Sequence, residues 1–290
     1  MPTGKPTTHL RRARLTRPTR LALIALASSI VLTAAVVVER PSGRPTVTVL
    51  DVGQGDAILL ETPRARVLVD QGPPEGDVAQ QLTDMGIRSL SALVLTHPQR
   101  DHVGGAANVL RRLDVGQVLD PRLEISGPEH EEALRAAAAR DVPVRVVRAG
   151  ATYRTGGLRL RALWPADPGT PLEDPNLNAV VLVGTYGATD VFLPADAESE
   201  VTARLPLHEV EILKVAHHGS EDPGLASELR ELRPRVAVIS CGRGNEYGHP
   251  RPETLTALDG APGLAVYRTD EDGRVVVESN GRNMTVETAR

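Results

Sequence analysis

Thr96-His97-Pro98-Gln99-Arg100-Asp101-His102-Val103-Gly104-Gly105 comes directly after the apolar run Ser91-Ala92-Leu93-Val94-Leu95. The run reads as a buried strand. The residues beyond it read as a short loop with two histidines and an aspartate, before Gly104-Gly105 lets the chain turn into a helix. Imidazole nitrogen and carboxylate oxygen are the donors that zinc-class and manganese-class ions take, and a strand-end loop holds them rigidly near a surface. Taken alone, such a loop is equally well explained as a polar turn with a helix cap. Further strand ends along the chain change that balance.

Asp70 follows Val67-Leu68-Val69, and Asp196 follows Val191-Phe192-Leu193-Pro194-Ala195. His217 and His218 follow Ile212-Leu213-Lys214-Val215-Ala216, while His249 lies in Asn245-Glu246-Tyr247-Gly248-His249-Pro250, beyond Val238-Ile239-Ser240. Each is individually explained as a capping or surface residue. Ligand-type side chains behind five strand-like runs together suggest one shared rim.

Strands are expected over 47–52, 57–61, 66–70, 91–95 and 144–147, and again over 158–163, 179–185, 190–193, 210–214, 236–240 and 275–278. Helices are expected over 77–85, 105–112, 129–140, 198–204, 225–231 and 252–258. Two halves, each with strands followed by helices, predict an α/β fold with sheets packed face to face and helices outside.

At 290 residues and 41% hydrophobic content the chain has ample length for a substantial core. Cys241 is the single cysteine, which excludes an intramolecular disulfide and a Cys-rich zinc site. Lys5 and Lys214 are the only lysines; arginine carries the remaining basic charge.

Residues 1–20 hold six basic side chains and no acidic one, and residues 21–38 are an uncharged run of 18. That length is just within the range of a membrane-spanning helix, and the basic flank places the following domain outside the cytoplasm. An uncleaved anchor is favoured over a cleaved secretory signal, which would release the domain, because the run is long and lacks a clean small-residue site. Residues 39–45 read as a linker and 46–290 as the folded domain. The basic N-terminus, with Glu39, Arg40 and Arg44, leaves a formal charge of −11 on residues 45–290. An acidic domain does not advertise a nucleic-acid binder.

The chain resembles the metallo-β-lactamase fold, and within it the soluble C-terminal domain of the ComEC family of DNA-internalisation proteins. The resemblance rests on Leu50-Asp51-Val52-Gly53-Gln54-Gly55-Asp56-Ala57, the Asp70 turn, the His97 loop, Leu213-Lys214-Val215-Ala216-His217-His218-Gly219-Ser220 and Tyr247-Gly248-His249-Pro250. It implies an αββα four-layer sandwich, here behind one N-terminal membrane helix, with one or two divalent metal ions (Zn or Mn) at its edge. By the superfamily's pattern His97 serves a first metal, Asp101 and His102 a second, and Asp196 bridges them. His97, Asp101, His102, Asp196 and His217 are thus the expected metal set, and Asp101, His218 and His249 the catalytic one. The division of roles among His217, His218 and His249 stays open. Gln99, Asp56, Asp70 and Lys214 are placed as weak ligands or rim groups, with Lys214 read first as structural and Asp56 first as holding the glycine loop by hydrogen bonds. Two departures stand out: Gln99 occupies a position that is often His or a carboxylate, and Ala195 stands where Gly usually precedes the bridging aspartate.

The function implied is a membrane-anchored, metal-dependent phosphodiesterase or nuclease linked to DNA uptake, using a metal-activated water. DNA or another phosphodiester is the expected partner. One apolar segment cannot form a pore, so translocation calls for a separate membrane channel protein. The alternatives are hydrolysis of small esters, lactones or lactams, and a non-catalytic binding or assembly module.

Overall fold

Val67 and Val69 pack into one cluster of buried side chains, and Leu68 between them packs into another. The same alternation recurs at Val191, Phe192 and Leu193, and at Val236, Ala237 and Val238. A strand buried on both faces has no polar side to show, which accounts for the near-continuous apolar runs in the sequence. The structure is a computed structural model that describes Met1, residues 44–166 and residues 172–290. The chain divides into two units, Met1–Arg40 and Pro41–Arg290, and the sheets with their helices belong to the second.

The first half supplies β1 (Thr46–Val49), β2 (Ile58–Thr62), β3 (Ala65–Val69), β4 (Ser89–Leu90), β5 (Ala92–Val94), β6 (Asp114–Val115), β7 (Val118–Asp120) and β8 (Val144–Val146). The second half supplies β9 (Thr152–Thr155), β10 (Leu158–Trp164), β11 (Val181–Tyr186), β12 (Thr189–Leu193), β13 (Ile212–Lys214), β14 (Val236–Ile239) and β15 (Ala265–Arg268). Two last strands, β16 (Val275–Ser279) and β17 (Met284–Thr288), return to the first half. One sheet has the order β17-β16-β1-β2-β3-β5-β7-β8, the other β15-β14-β13-β12-β11-β10-β9, and β4 pairs separately with β6.

Three apolar layers result. Val47, Val49, Val67, Val94, Leu160, Leu182, Val191 and Val238 fill the space between the sheets. Leu59, Leu68 and Leu93 of the first sheet meet Leu82, Val109 and Leu110 from the helices Val78–Asp84 and Ala106–Arg112. Phe192, Leu213 and Ile239 of the second sheet meet Leu225, Leu229 and Leu258 from the helices Leu225–Leu232 and Pro252–Asp259. Helices therefore cover both outer faces of a two-sheet sandwich, the αββα arrangement.

Parallel pairing of β3 with β5 and of β12 with β13 and β14 brings the carboxyl ends of these strands to one edge. That edge is where Asp70, His97, Asp196 and the His217-His218 pair begin. The segment after β5 is not a loop throughout. His102 and Val103 donate their N–H groups to the Gln99 carbonyl, and Arg100–Val103 closes as a helical turn carrying Asp101 and His102. Gly55 is required beside it, because a Cβ there would lie 2.2 Å from the Asp101 carbonyl oxygen. No helix among the described residues is long and apolar enough to cross a membrane. The anchor expected at 21–38 lies outside the described residues.

Candidate metal centre

Four non-glycine residues just beyond the ends of β3, β12 and β13 take up left-handed backbone. They are Asp70 (φ 56°), Ala195 (φ 53°), His217 (φ 45°) and His218 (φ 55°). Such conformations cost on the order of 1–3 kcal/mol each and persist where the surroundings over-determine them. The strand-end turns of this sandwich are thus bent to aim particular side chains. Ala195 stands where the resemblance leads one to expect glycine, and its positive φ is the conformation that glycine would adopt without strain.

Asp101, His102, Asp196 and His218 each offer one donor atom, and these atoms all lie within 4.8 Å of one another. His102 Nε2 is 3.1 Å from Asp196 Oδ1, and His218 Nε2 is 3.3 Å from Asp101 Oδ2 and 3.6 Å from Asp196 Oδ2. His102, Asp196 and His218 are buried, whereas the Asp101 side chain keeps 32% of its exposure and faces the opening.

The rings are oriented from behind. Asp70 accepts the Thr96 N–H at Oδ1 (3.0 Å) and the Thr96 hydroxyl at Oδ2 (2.7 Å), and Oδ2 also takes the His102 Nδ1–H (2.8 Å). With its proton spent on Asp70, the Thr96 hydroxyl accepts from His97 Nδ1 at 3.0 Å. His218 Nδ1 donates to the Ser240 carbonyl at 2.9 Å, and His217 Nδ1 to Glu198 at 2.7 Å. In all four histidines Nδ1 is engaged, so the second nitrogen is left to face the cleft. Carboxylates and carbonyls behind imidazoles are the usual means of presenting them to a cation.

Whether a divalent ion suits the cage is decided by what the cage leaves unsatisfied. His102 Nε2, His218 Nε2 and both oxygens of Asp196 are buried without a hydrogen bond. Buried polar atoms of this kind are rare in native proteins and call for a partner. Two imidazole nitrogens and two carboxylates around one point fit zinc-class and manganese-class ions.

The charges agree. Burial opposes the charged form of His218, yet the Asp196 and Asp56 carboxylates push it up to about 9. His102 is held well above the usual histidine range against burial by Asp196 and Asp70. Burial likewise opposes ionisation of Asp196, but His102 and His218 keep it well below the usual carboxylate range. Without a cation, then, protons on the imidazoles balance the carboxylates, and an incoming ion displaces them.

A second position opens beside the first with weaker donors. His97 Nε2 lies 3.9 Å and His217 Nε2 3.7 Å from Asp196 Oδ2. Gln99 Oε1 is 3.3 Å from His97 Nε2, and the Asn176 amide is 3.3 Å from His217 Nε2. Burial and the charge on His102 push His97 down to about 4, which keeps it neutral at pH 7.

His249 stands further out, its ring 5.6 Å from His217 and 5.9 Å from the exposed Tyr247. Burial, then His217 and His218, push it down to about 4. Gln54, Gln99, Arg100, Asn176, Tyr247 and His249 border the open cleft of about 380 Å³ that leads to Asp101 and His218.

Asp56, Asp70 and Lys214 lie buried beside the cage, and donor atoms of Asp56, Asp70 and His102 also lie within 4.8 Å of one another. Asp70 is spent on Thr96 and His102, and Asp56 pairs with Lys214 at 2.5 Å. Asn176, Glu198 and Ser240 join the site without having stood out in the sequence. A signal existed for Asn176: Asp174-Pro175-Asn176-Leu177-Asn178 is a polar turn feeding directly into an apolar strand.

Residues 50–243 match the metallo-beta-lactamase superfamily. The chain belongs to that superfamily. Among its curated relatives, ComE operon protein 3 of Bacillus subtilis is 31% identical, over 81% of this chain and 33% of the relative. Recombination protein 2 of Haemophilus influenzae is 29% identical over 85% and 31% of the two chains. For competence protein ComA of Neisseria gonorrhoeae the values are 27%, 80% and 32%. The chain spans about a third of the length of these relatives. Metallo-beta-lactamase fold protein YhfI from Bacillus subtilis superposes with a TM-score of 0.55 at 12% identity, over 81% of this chain and 100% of that one. Igni18, a metallo hydrolase from Ignicoccus hospitalis, gives 0.54 at 16% identity, with the same coverage of both chains. Within the metallo-beta-lactamase superfamily, the competence proteins are therefore where its sequence resemblance falls.

Proposed function

We propose that this chain is a metal-dependent hydrolase of phosphodiesters, acting as a nuclease in DNA uptake. The observation that carries the hydrolase reading is the convergence of Asp101, His102, Asp196 and His218, the last three with their facing atoms buried and unsatisfied. These four residues would hold a divalent ion, zinc or manganese, at the deep position. His97, His217 and the shared Asp196 form the shallower one, weakened by the neutral amides of Gln99 and Asn176.

A divalent ion bound there supplies a Lewis acid and brings the pKa of a water toward neutrality. The chain's own groups do the rest. Asp101, the one half-buried member of an otherwise buried cage, would accept the proton of an attacking water. His218 and His102 keep their positions through Ser240 and Asp70 and so fix where charge is offset. His249, uncharged at neutral pH, offers a hydrogen bond to a phosphoryl oxygen at the cleft mouth. Similarity to competence proteins supports the phosphodiester class. The segment at 21–38 anchors the domain outside the cytoplasm, beside a separate channel protein.

The test is metal content of the full chain, with zinc- or manganese-dependent cleavage of bis(p-nitrophenyl) phosphate, single-stranded DNA and a p-nitrophenyl ester. Near-stoichiometric metal with DNA cleavage supports the proposal. Ester cleavage alone moves the substrate to small carbonyl compounds, which suit the −11 charge of residues 45–290. A folded protein that binds no metal and cleaves nothing leaves a binding module.

Tyr247 gives a narrower prediction. Its ring is 58% exposed at the cleft edge, in a chain with only 2% aromatic residues. Base–aromatic stacking is worth about 1–3 kcal/mol per base. Tyr247→Ala is expected to raise KM for single-stranded DNA about tenfold or more while leaving kcat for bis(p-nitrophenyl) phosphate unchanged. Equal loss on both substrates speaks against stacking.

A further inference from the structure

Lys214 is the single lysine among the described residues, and it is 2% exposed. It ends β13, and its Nζ lies 2.5 Å from Asp56 Oδ2. Asp56 is fully buried. Its other oxygen, Oδ1, is 3.3 Å from His218 Nδ1, and its backbone N–H donates to the Asp101 carbonyl at 3.1 Å. One aspartate therefore touches His218 and the Asp101 backbone and lies 4.0 Å from His102 Nδ1, and one ammonium holds that aspartate.

We propose that Lys214 is a positioning residue that sets the metal cage through Asp56, fixing the ring of His218 and the turn that carries Asp101. This rests on reading the cage as a metal site. Neither Lys214 nor Asp56 is a ligand in this scheme. The ammonium occupies Oδ2 and leaves Oδ1 for the His218 ring, so the carboxylate can neither turn into the cage nor swing away from the imidazole. Without the ammonium, Oδ2 is a buried carboxylate oxygen lacking its partner, and the carboxylate is free to turn from the His218 ring, which then keeps only the Ser240 carbonyl behind it. The residue type follows from the space. A guanidinium is a broad planar fork, whereas an ammonium is a compact point charge that fits where the chain is fully packed. That is a physical reason for lysine here, in a chain that otherwise uses arginine.

A merely structural ion pair, bracing β13 against the Gly53-Gln54-Gly55 turn, would lower stability and leave ion binding alone. The two roles separate in calorimetric titration of zinc into the metal-free full chain, and in the visible spectrum of the cobalt(II) form. Lys214→Met, still folded by circular dichroism, is expected to bind zinc 10–100-fold more weakly, the range for groups behind metal ligands, with a shifted cobalt band. Lys214→Arg is expected not to restore either. In an Asp56→Asn background the lysine change should add little, because both act through one contact. Wild-type zinc affinity and cobalt spectrum in folded Lys214→Met overturn the proposal, as do losses that simply add. Should Lys214→Met fail to fold, Asp56→Asn decides. Weakened zinc binding supports the role, and wild-type binding overturns it. A wild-type chain that binds no metal removes the metal reading itself, a result distinct from either.

Discussion

Asp196→Ala is expected to abolish divalent-metal binding and, with it, any metal-dependent cleavage. One carboxylate here faces four imidazoles: His102 at 3.1 Å, His218 at 3.6 Å, His217 at 3.7 Å and His97 at 3.9 Å. Truncation removes two oxygens that both candidate positions share, together with the charge that favours a cation there. The histidines and Asp101 remain, but the deep position then keeps one carboxylate where it had two. The readout is thermal. A ligand at a hundredfold excess over its Kd adds about 2.7 kcal/mol to stability. For a domain of this size that is about 5–10 °C in Tm. Wild type should gain that shift on adding zinc or manganese, and Asp196→Ala should gain none while keeping a cooperative metal-free transition. A variant that retains the full shift would place the ion elsewhere. Asp196→Asn, which keeps the shape and loses the charge, should fall between the two.

The parts of this centre that the sequence exposed and those it hid differ in physical kind. His97, Asp101, His102, Asp196 and the His217-His218 pair are visible because each follows an apolar run, and a run ending in a ligand-type residue is a local pattern. The supporting residues lack one. Asp70 orients His102 across 32 positions, Ser240 orients His218 across 22, and Glu198 holds His217 across 19. Such pairs exist only once the sheets have stacked. Lys214 and Asp56 illustrate the limit most clearly: the sequence suggests a structural lysine and an aspartate holding the glycine loop, but the pairing of the two and the contact with His218 exist only in the fold.

The strands obey the same logic. Apolar runs announce β2, β3, β11 and β14 to within a few residues because most of their positions are buried, and β10 shows instead as Leu158 and Leu160 alternating with Arg159 and Arg161. The strand β7, next to the edge strand β8, is only three residues long and has no period to read. β9 and β17 stand at sheet edges with exposed or half-exposed residues throughout, so their sequences carry little apolar signal. What places them is pairing with β10 and β16, a tertiary fact. The segment 100–103 reads as loop in the sequence because Pro98 and the two glycines flank it, and its single helical turn is too short for periodicity to show.

Away from the cleft, Glu228→Gln is expected to stabilise the protein by an amount that grows with pH. Glu228 lies on the helix Leu225–Leu232, 6% exposed, and its Oε1 has no hydrogen bond. Burial pushes its carboxyl up to about 8, with Asp222 and Glu231 adding to the effect. The ordinary value is 4.5. Below 4.5 both folded and unfolded chains hold the proton, so the group contributes nothing to the pH dependence. Between 4.5 and about 8 the unfolded chain gives its proton up while the folded one keeps it, and stability falls as pH rises. Above about 8 both are ionised and the penalty is constant. Glutamine cannot ionise and escapes the whole penalty. At pH 7 the difference between the variants should be on the order of 3 kcal/mol, from about 1.4 kcal/mol per pKa unit. That corresponds to roughly 6–12 °C in Tm for a domain of this size. Melting both proteins at pH 4, 6 and 8 gives the check, since the metal site contributes equally to each member of the pair. The gap should be near zero at the lowest pH and widest at the highest. A gap that is the same at all three would mean that the carboxyl ionises as freely in the folded chain as in the unfolded one.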